Sequence, residues 1–372
     1  MKITSKLLLL FSILLMSCST SKNNTYLVGT YTENKSQGIN IIDFNEASKV
    51  ISLQKVVNEI ENPSFVITNK AKTIVVAVEE TASTIGGKVT SFSYDSKSST
   101  FKKINSQFTL GDHPCTVAFS SNEKFVLVGN YSGGNLSVFP IDATGKLSEA
   151  NQTITFQGKS SNAQRQEKPH VHCIVFHPTD NKIAVADLGR DAIDVIPFDE
   201  KAPLFLIENK IISTKVPAGS GPRHLIFNSK GNRLYATFEL TNEVAIFDYS
   251  DDKLQLLKTL SLTKIPTQNG SAAEVRLSDD EQFLYASVRG NDNQLVVIQL
   301  NDGKNAKVIQ SISTGTSPRN FIISNNQKSI LVANQFSNSI IVFDRNKKTG
   351  LLTPTSSESE LTINQPVYFY PF

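Results

Sequence analysis

Gly221-Pro222-Arg223-His224-Leu225-Ile226-Phe227 with Leu234-Tyr235-Ala236, and Ser317-Pro318-Arg319-Asn320-Phe321-Ile322-Ile323 with Ile330-Leu331-Val332, are two copies of one pattern. Each opens on a proline, runs through a short apolar strand, turns at polar residues and starts a second apolar strand. That second strand ends in a polar residue, and a third strand follows. Further copies start at Pro63, Pro114, Val171 and Ala272, so successive starts, counted at the prolines where present, lie 51, 57, 51, 50 and 46 residues apart. A period of about fifty residues marks a repeat architecture rather than a row of independent domains.

The copies are rich in Val, Ile and Phe and are split by turn signals such as Ser121-Asn122, Asp180-Asn181 and Lys230-Gly231-Asn232. Near the N-terminus, Tyr26-Leu27-Val28-Gly29-Thr30-Tyr31 reads as the second strand of a copy that lacks its first. The missing strand is available at the other end of the chain, in Gln365-Pro366-Val367-Tyr368-Phe369-Tyr370. That is the ring closure of a β-propeller, in which one blade takes strands from both termini. Six starts and the closing blade predict an all-β, seven-bladed propeller of four-stranded antiparallel blades over residues 26–372. A doubly wound α/β fold is disfavoured, because no helical segments alternate with the strands.

The chain has 372 residues, 39% of them hydrophobic and 19% charged, with no tryptophan. The absent tryptophan excludes the Trp-Asp signature of WD repeats. With 37 basic and 34 acidic residues the net charge is +3, and nothing in that balance calls for nucleic acid. Three cysteines cannot build a disulfide scaffold. Cys115 and Cys173 sit inside apolar runs and read as buried strand thiols, although one bridge between them would be possible in an oxidising compartment.

Residues 1–17 read as an address. Lys2 and Lys6 precede the uncharged run from Leu7 to Met16, which is too short to span a bilayer stably but suits a signal peptide. The run ends in Leu15-Met16-Ser17-Cys18, which resembles the lipobox of bacterial lipoproteins. The resemblance implies cleavage before Cys18, a lipid on its sulfur and amino group, a tether over 18–25, and a lipid-anchored protein of the cell envelope facing the periplasm or exterior.

Equivalent positions of a propeller repeat lie at one height around the central channel. Aligned on their first strands, the copies bring Ser64, Cys115, His172, Arg223, Ala273 and Arg319 into one ring. Aligned on the end of the second strand they bring together Glu80, Tyr131, Leu188, Glu239, Arg289 and Gln335. His224 and Glu274 share a third slot, one residue beyond the first ring. A merely structural repeat would repeat its residue, whereas these rings vary and collect cations, acids and histidine. Glutamate beside arginine stays ionised, and a histidine near arginines stays neutral. Such a set binds a carboxylated or phosphorylated sugar and polarises a carbonyl.

Other motifs carry less. Pro169-His170-Val171-His172 has an H-x-H spacing, but no third histidine lies nearby, and no metal site is predicted. His113 and His177 adjoin prolines and read as turn residues. Gly133-Gly134 reads as a hairpin, since no helix follows for phosphate binding. No G-x-S-x-G elbow is present.

Taken in order, Leu27-Val28-Gly29-Thr30-Tyr31-Thr32, Gly129-Asn130-Tyr131-Ser132-Gly133-Gly134, Arg165-Gln166-Glu167-Lys168-Pro169-His170-Val171-His172, Ala186-Asp187-Leu188-Gly189, Gly221-Pro222-Arg223-His224, Ala272-Ala273-Glu274 and Val332-Ala333-Asn334-Gln335 resemble the seven-bladed propeller lactonases. That group holds bacterial 6-phosphogluconolactonases and fungal carboxy-muconate lactonising enzymes. The resemblance implies catalytic roles for His172, Arg223, Glu239 and Arg289, with His172 or Glu239 as general base. Arg319, His224, Glu274 and His170 are the further substrate-binding candidates. It implies hydrolysis of a sugar-acid lactone such as 6-phosphogluconolactone or a related aldonolactone, without a cofactor, by a monomer. A non-catalytic binding propeller and a muconate-type cycloisomerase are the alternatives. Phe238 and Val288 stand where the family has asparagine, which is expected to remove two amides near the site.

Overall fold

In a computed structural model, residues 23–32, 38–265, 267, 269–355 and 359–372 are described. The expected signal segment and most of the expected tether lie outside them. The described residues form seven antiparallel sheets, six of four strands and one of five. A short 3-10 turn covers Glu208–Lys210.

Blades are numbered here in chain order. Blade 3 shows the plan: Val171–Phe176 is innermost, followed outward by Lys182–Asp187, Ala192–Pro197 and Ile212–Lys215. Blade 6 carries an additional short strand, Glu360–Thr362, against its third strand. Blade 7 closes the ring as the repeats predict, with Pro366–Pro371 inside Asn23–Thr30. Its pairing runs Tyr26↔Pro371, Leu27↔Tyr370 and Val28↔Phe369, and the Phe372 amide donates to the Thr25 carbonyl at 2.8 Å. This strand starts at Asn23, so residues 23–25, expected in the tether, are already part of the sheet.

Strands alternate sides, and in a blade both faces are covered by neighbouring blades, so both sets of residues are apolar. Each apolar cluster therefore lies between two blades. Leu27, Ile41 and Tyr368 of blade 7 pack with Val66, Val75 and Phe92 of blade 1. The turn from first to second strand repeats its chemistry. Ser120, Ser278 and Ser324 hydroxyls accept from the amides of Phe125, Phe283 and Ser329 at 3.0–3.1 Å, closing the turn with side-chain oxygens. At Gly231, in the same turn of blade 4, a Cβ would lie 2.2 Å from the His177 ring, which requires glycine there.

The turns joining first to second and third to fourth strands make one face of the disc. The opposite face carries the strand ends from which the polar rings project.

Candidate active site

A local irregularity in the innermost strands aims the site residues. In blade 3, Val171 pairs with Asp187 and Cys173 with Ala186, so His172 is an extra residue without a partner position. The same bulge places Cys115 in blade 2, Arg223 with His224 in blade 4, and Arg319 in blade 6. A bulge bends the strand and re-aims one side chain, here toward the channel axis. Strand periodicity alone does not reveal it.

These residues meet in a cavity of about 360 Å³ lined by Tyr31, Glu80, Cys115, Tyr131, Arg165, His172, Arg223, Glu239, Arg289 and Arg319. All four residues assigned catalytic roles from sequence are among them, as is Arg319. Ser64 lies deeper, in a neck of about 10 Å³. Ala273, Leu188 and Gln335 do not line the cavity.

Glu239 is the hub. Its Oε1 accepts from Arg165 Nη2 at 2.6 Å, and its Oε2 lies 2.8 Å from Arg223 Nε and 3.2 Å from Arg289 Nη2. Burial alone would raise its pKa, but Arg289, Arg223 and Arg165 together hold it at about 2. A carboxylate so committed is a poor proton acceptor. Arg223 is only 2% exposed, and its Nη1 has no hydrogen-bond partner among the described residues. A buried guanidinium N–H without a partner is costly, unless a substrate oxygen receives it. Arg289 also donates from Nε to the Ser271 carbonyl at 3.0 Å, which fixes the guanidinium plane.

His172 is 6% exposed, with the Tyr131 ring edge-on at 5.4 Å between centroids. Burial first, then the cations Arg223 and Arg319 and the neighbouring His224, hold its pKa well below the usual histidine range. It is therefore a neutral imidazole at neutral pH. Across the cavity the Tyr31 hydroxyl donates to Glu80 at 3.0 Å and accepts from Arg319 Nη2 at 2.8 Å.

The remaining sequence candidates sit elsewhere. His170 stacks on Tyr131 at 4.4 Å and its Nδ1 lies 2.9 Å from the Tyr131 carbonyl, so it braces a cavity wall rather than lining the cavity. His224 and Glu274 pair at 3.1 Å below the cavity. They face a second space of about 410 Å³ toward the other end of the channel. Phe238 and Val288 are fully buried between blades, so the missing amides leave apolar packing, not gaps in the cavity. The equivalent Asn130 donates to the Thr109 carbonyl at 3.0 Å, tying loop to blade. Cys115 and Cys173 are buried free thiols. His113 and His177 bond to Ser132 and Gly231 in turns.

Two lining residues escaped the repeat alignment. Tyr31 holds the second-ring position in the closing blade, and extending the alignment there would have found it. Arg165 sits on the inserted loop between blades 2 and 3, whose only trace in the repeats is their longest spacing. Gly189 lets that loop approach, since a Cβ there would lie 1.8 Å from the Lys168 carbonyl oxygen.

Known proteins share this fold. The 6-phosphogluconolactonase of Formosa agariphila is 32% identical over 335 residues, covering 89% of this chain and 95% of that one. A solved structure from Bacteroides fragilis superposes with a TM-score of 0.87 at 33% identity, over 95% of this chain and 99% of that one. The periplasmic gluconolactonase of Pseudomonas aeruginosa superposes with a TM-score of 0.84 at 31% identity, over 94% and 99%. The family model "Lactonase, 7-bladed beta-propeller" matches residues 25–370, and the chain belongs to that family.

Proposed function

We propose that the cavity hydrolyses the ring ester of an aldonolactone, 6-phosphogluconolactone or a close relative, to the open-chain acid. The observation that carries this reading is a neutral, buried His172 in the same cavity as Arg223, which keeps an unpartnered N–H. His172 takes a proton from water as the water oxygen bonds to the lactone carbonyl carbon. Arg223, oriented by Glu239, donates to the oxyanion that forms, and Arg289 adds charge at the same pole. The tetrahedral intermediate then breaks its bond to the ring oxygen. That oxygen takes the proton from the His172 imidazolium and leaves as the sugar hydroxyl. Glu239 stays ionised throughout, which favours His172 as the base.

Four guanidinium groups face two carboxylates in the cavity, leaving an excess of two positive charges. That excess suits a substrate with a phosphate or carboxylate, and the Formosa agariphila relative is named a 6-phosphogluconolactonase. The leader points to a different substituent. Cys18 as a lipidated N-terminus would hold the protein in the cell envelope, where an unphosphorylated lactone is the accessible form. The Pseudomonas aeruginosa relative is named a periplasmic gluconolactonase. Hydrolysis of gluconolactone and of its 6-phosphate by the purified protein separates the two, and turnover of neither overturns the reaction. For the anchor, Cys18→Ser should move the protein from the membrane to the soluble fraction.

A further inference from the structure

We infer that the face opposite the catalytic cavity carries a docking patch for an anionic phospholipid bilayer. The patch lies where the chain joins the propeller from its N-terminal leader. Its core is a depression of about 780 Å³ lined by Lys49, Lys328, Lys347 and Lys348, with Leu351 at its edge. These lysines come from three turns, two in blade 6 and one in blade 7, all on the face away from the cavity mouth. Lys328, Lys347 and Lys348 are exposed, and Lys49 is partly held by Asp344 at 2.9 Å. Val50 and Leu351, 43% and 38% exposed, add apolar side chains beside the lysines. Lysines mixed with exposed aliphatic residues suit the boundary between headgroup and acyl chain.

The leader joins at the same place. Asn24, near the start of the blade 7 strand, donates to Glu46 at 2.5 Å, and Asn325 donates to Asn24 at 2.9 Å. Glu46 lies three residues from Lys49, and Asn325 three from Lys328. Four residues, 19–22, separate Cys18 from the first strand, and the five steps from Cys18 to Asn23 reach at most about 18 Å. A chain anchored at Cys18 therefore keeps the start of the first strand within about two screening lengths of the headgroups, each roughly 8 Å in physiological salt.

Farther round the disc the charge on that face is mixed. Asp251, Asp279, Asp280 and Asp302 are exposed in the turns of blades 4 and 5. An anchor at Cys18 brings the sector where the leader joins to the surface first, and the catalytic mouth points away from the bilayer, toward soluble substrate. The orientation rests on the lipid-anchor reading; the patch itself does not.

Full-length protein carrying Cys18→Ser is mixed with vesicles of equimolar phosphatidylcholine and phosphatidylglycerol, and binding is measured by sedimentation. K328E/K347E/K348E should lower the partition coefficient on the order of a hundredfold while lactone hydrolysis is unchanged. K201E/K210E/K253E, an equal charge change elsewhere on the same face, should lower it far less. In amine labelling, Lys347 should be protected by the vesicles and Lys201 should not. Equal binding by wild type and the first triple variant, or equal loss in both triple variants, overturns the patch. Because the lipid site is removed in every sample, these outcomes are independent of whether Cys18 is lipidated.

Discussion

Glu239 and Glu274 are both buried, both hold pKa values of about 2, and come from equivalent blades of the same repeat. Their surroundings differ in what is left over. Glu239 is held by arginines that line a cavity, one of which keeps an N–H unpaired. Glu274 is closed in by His224 Nδ1 at 3.1 Å, the Val275 amide at 2.9 Å, the Asn320 side chain and Arg276 at 3.4 Å. At the first, the donors have capacity beyond the carboxylate and point it at open space. At the second, the carboxylate is met by four donors and plugs the channel under the site; Arg276 Nε also lacks a partner, but Arg276 borders the lower space rather than the catalytic cavity. Neither a low carboxylate pKa nor an unused donor therefore marks a functional group by itself; cations and a neutral histidine converging on one cavity do.

The largest expected effect tests that division directly. Arg223→Ala, which removes the donor from the functional side, should cut kcat on the order of 10²–10³-fold and leave the fold intact. Glu239→Gln should lower kcat/KM by a similar factor, because three guanidinium groups lose the anion that orients them. Glu274→Gln should do the reverse. It leaves Arg276 and the channel plug without their charge partner, costing about 3–5 kcal/mol of stability. Its kcat/KM should stay within about threefold of wild type. Thermal melts and steady-state rates on the three proteins check this, and a folded Glu274→Gln as inactive as Glu239→Gln would break the comparison.

The fold was legible because a propeller blade is punctuated by turns and rebuilt seven times, so errors in one copy are corrected by the others. The closing strand could be placed from Tyr26–Tyr31 and Gln365–Tyr370 alone. The site was legible to the height of a ring but not to its direction. Arg223 and His224 are adjacent in sequence, and only the bulge between Pro222 and Leu225 shows that they belong to different spaces. Arg165 was out of reach for a different reason. Its loop lies outside the repeat and its approach depends on tertiary packing at Gly189, which no spacing encodes.

Acid titration gives a smaller, signed test. An ordinary histidine with a pKa of 6.5 is about one quarter neutral at pH 6. His172 lies well below that value, so kcat/KM at pH 6 should remain close to its value at pH 7.5. Arg319 is one of the cations holding it down, and Arg319→Met should move the acid limb upward toward pH 6.5. Stability follows the carboxylates separately. Their folded pKa values lie below the ordinary 4.5, so the stability they confer is present above about pH 4.5 and lost as pH falls toward 2. Glu274→Gln should flatten that loss without moving the acid limb of activity, which keeps the two carboxylates distinguishable in solution.

The smallest expected effect falls on Arg165, the most exposed arginine of the hub. Its side chain is 41% exposed, against 6% for its partner Glu239, and it also donates to the Tyr131 hydroxyl at 3.3 Å. Glu239 keeps Arg223 and Arg289 when Arg165 is removed, so the orientation of the deep donors survives. An ion pair open to water is worth about 0.2–1 kcal/mol after screening, or a factor of roughly 1.4 to 5. Arg165→Ala should therefore raise KM by about two- to fivefold, with kcat within twofold and the difference shrinking in high salt. That result makes Arg165 a binding group at the mouth and leaves the chemistry to the buried arginines. A hundredfold fall in kcat instead would place Arg165 with Arg223 at the reacting carbonyl, and the distinction would then run between loop and blade rather than between mouth and depth.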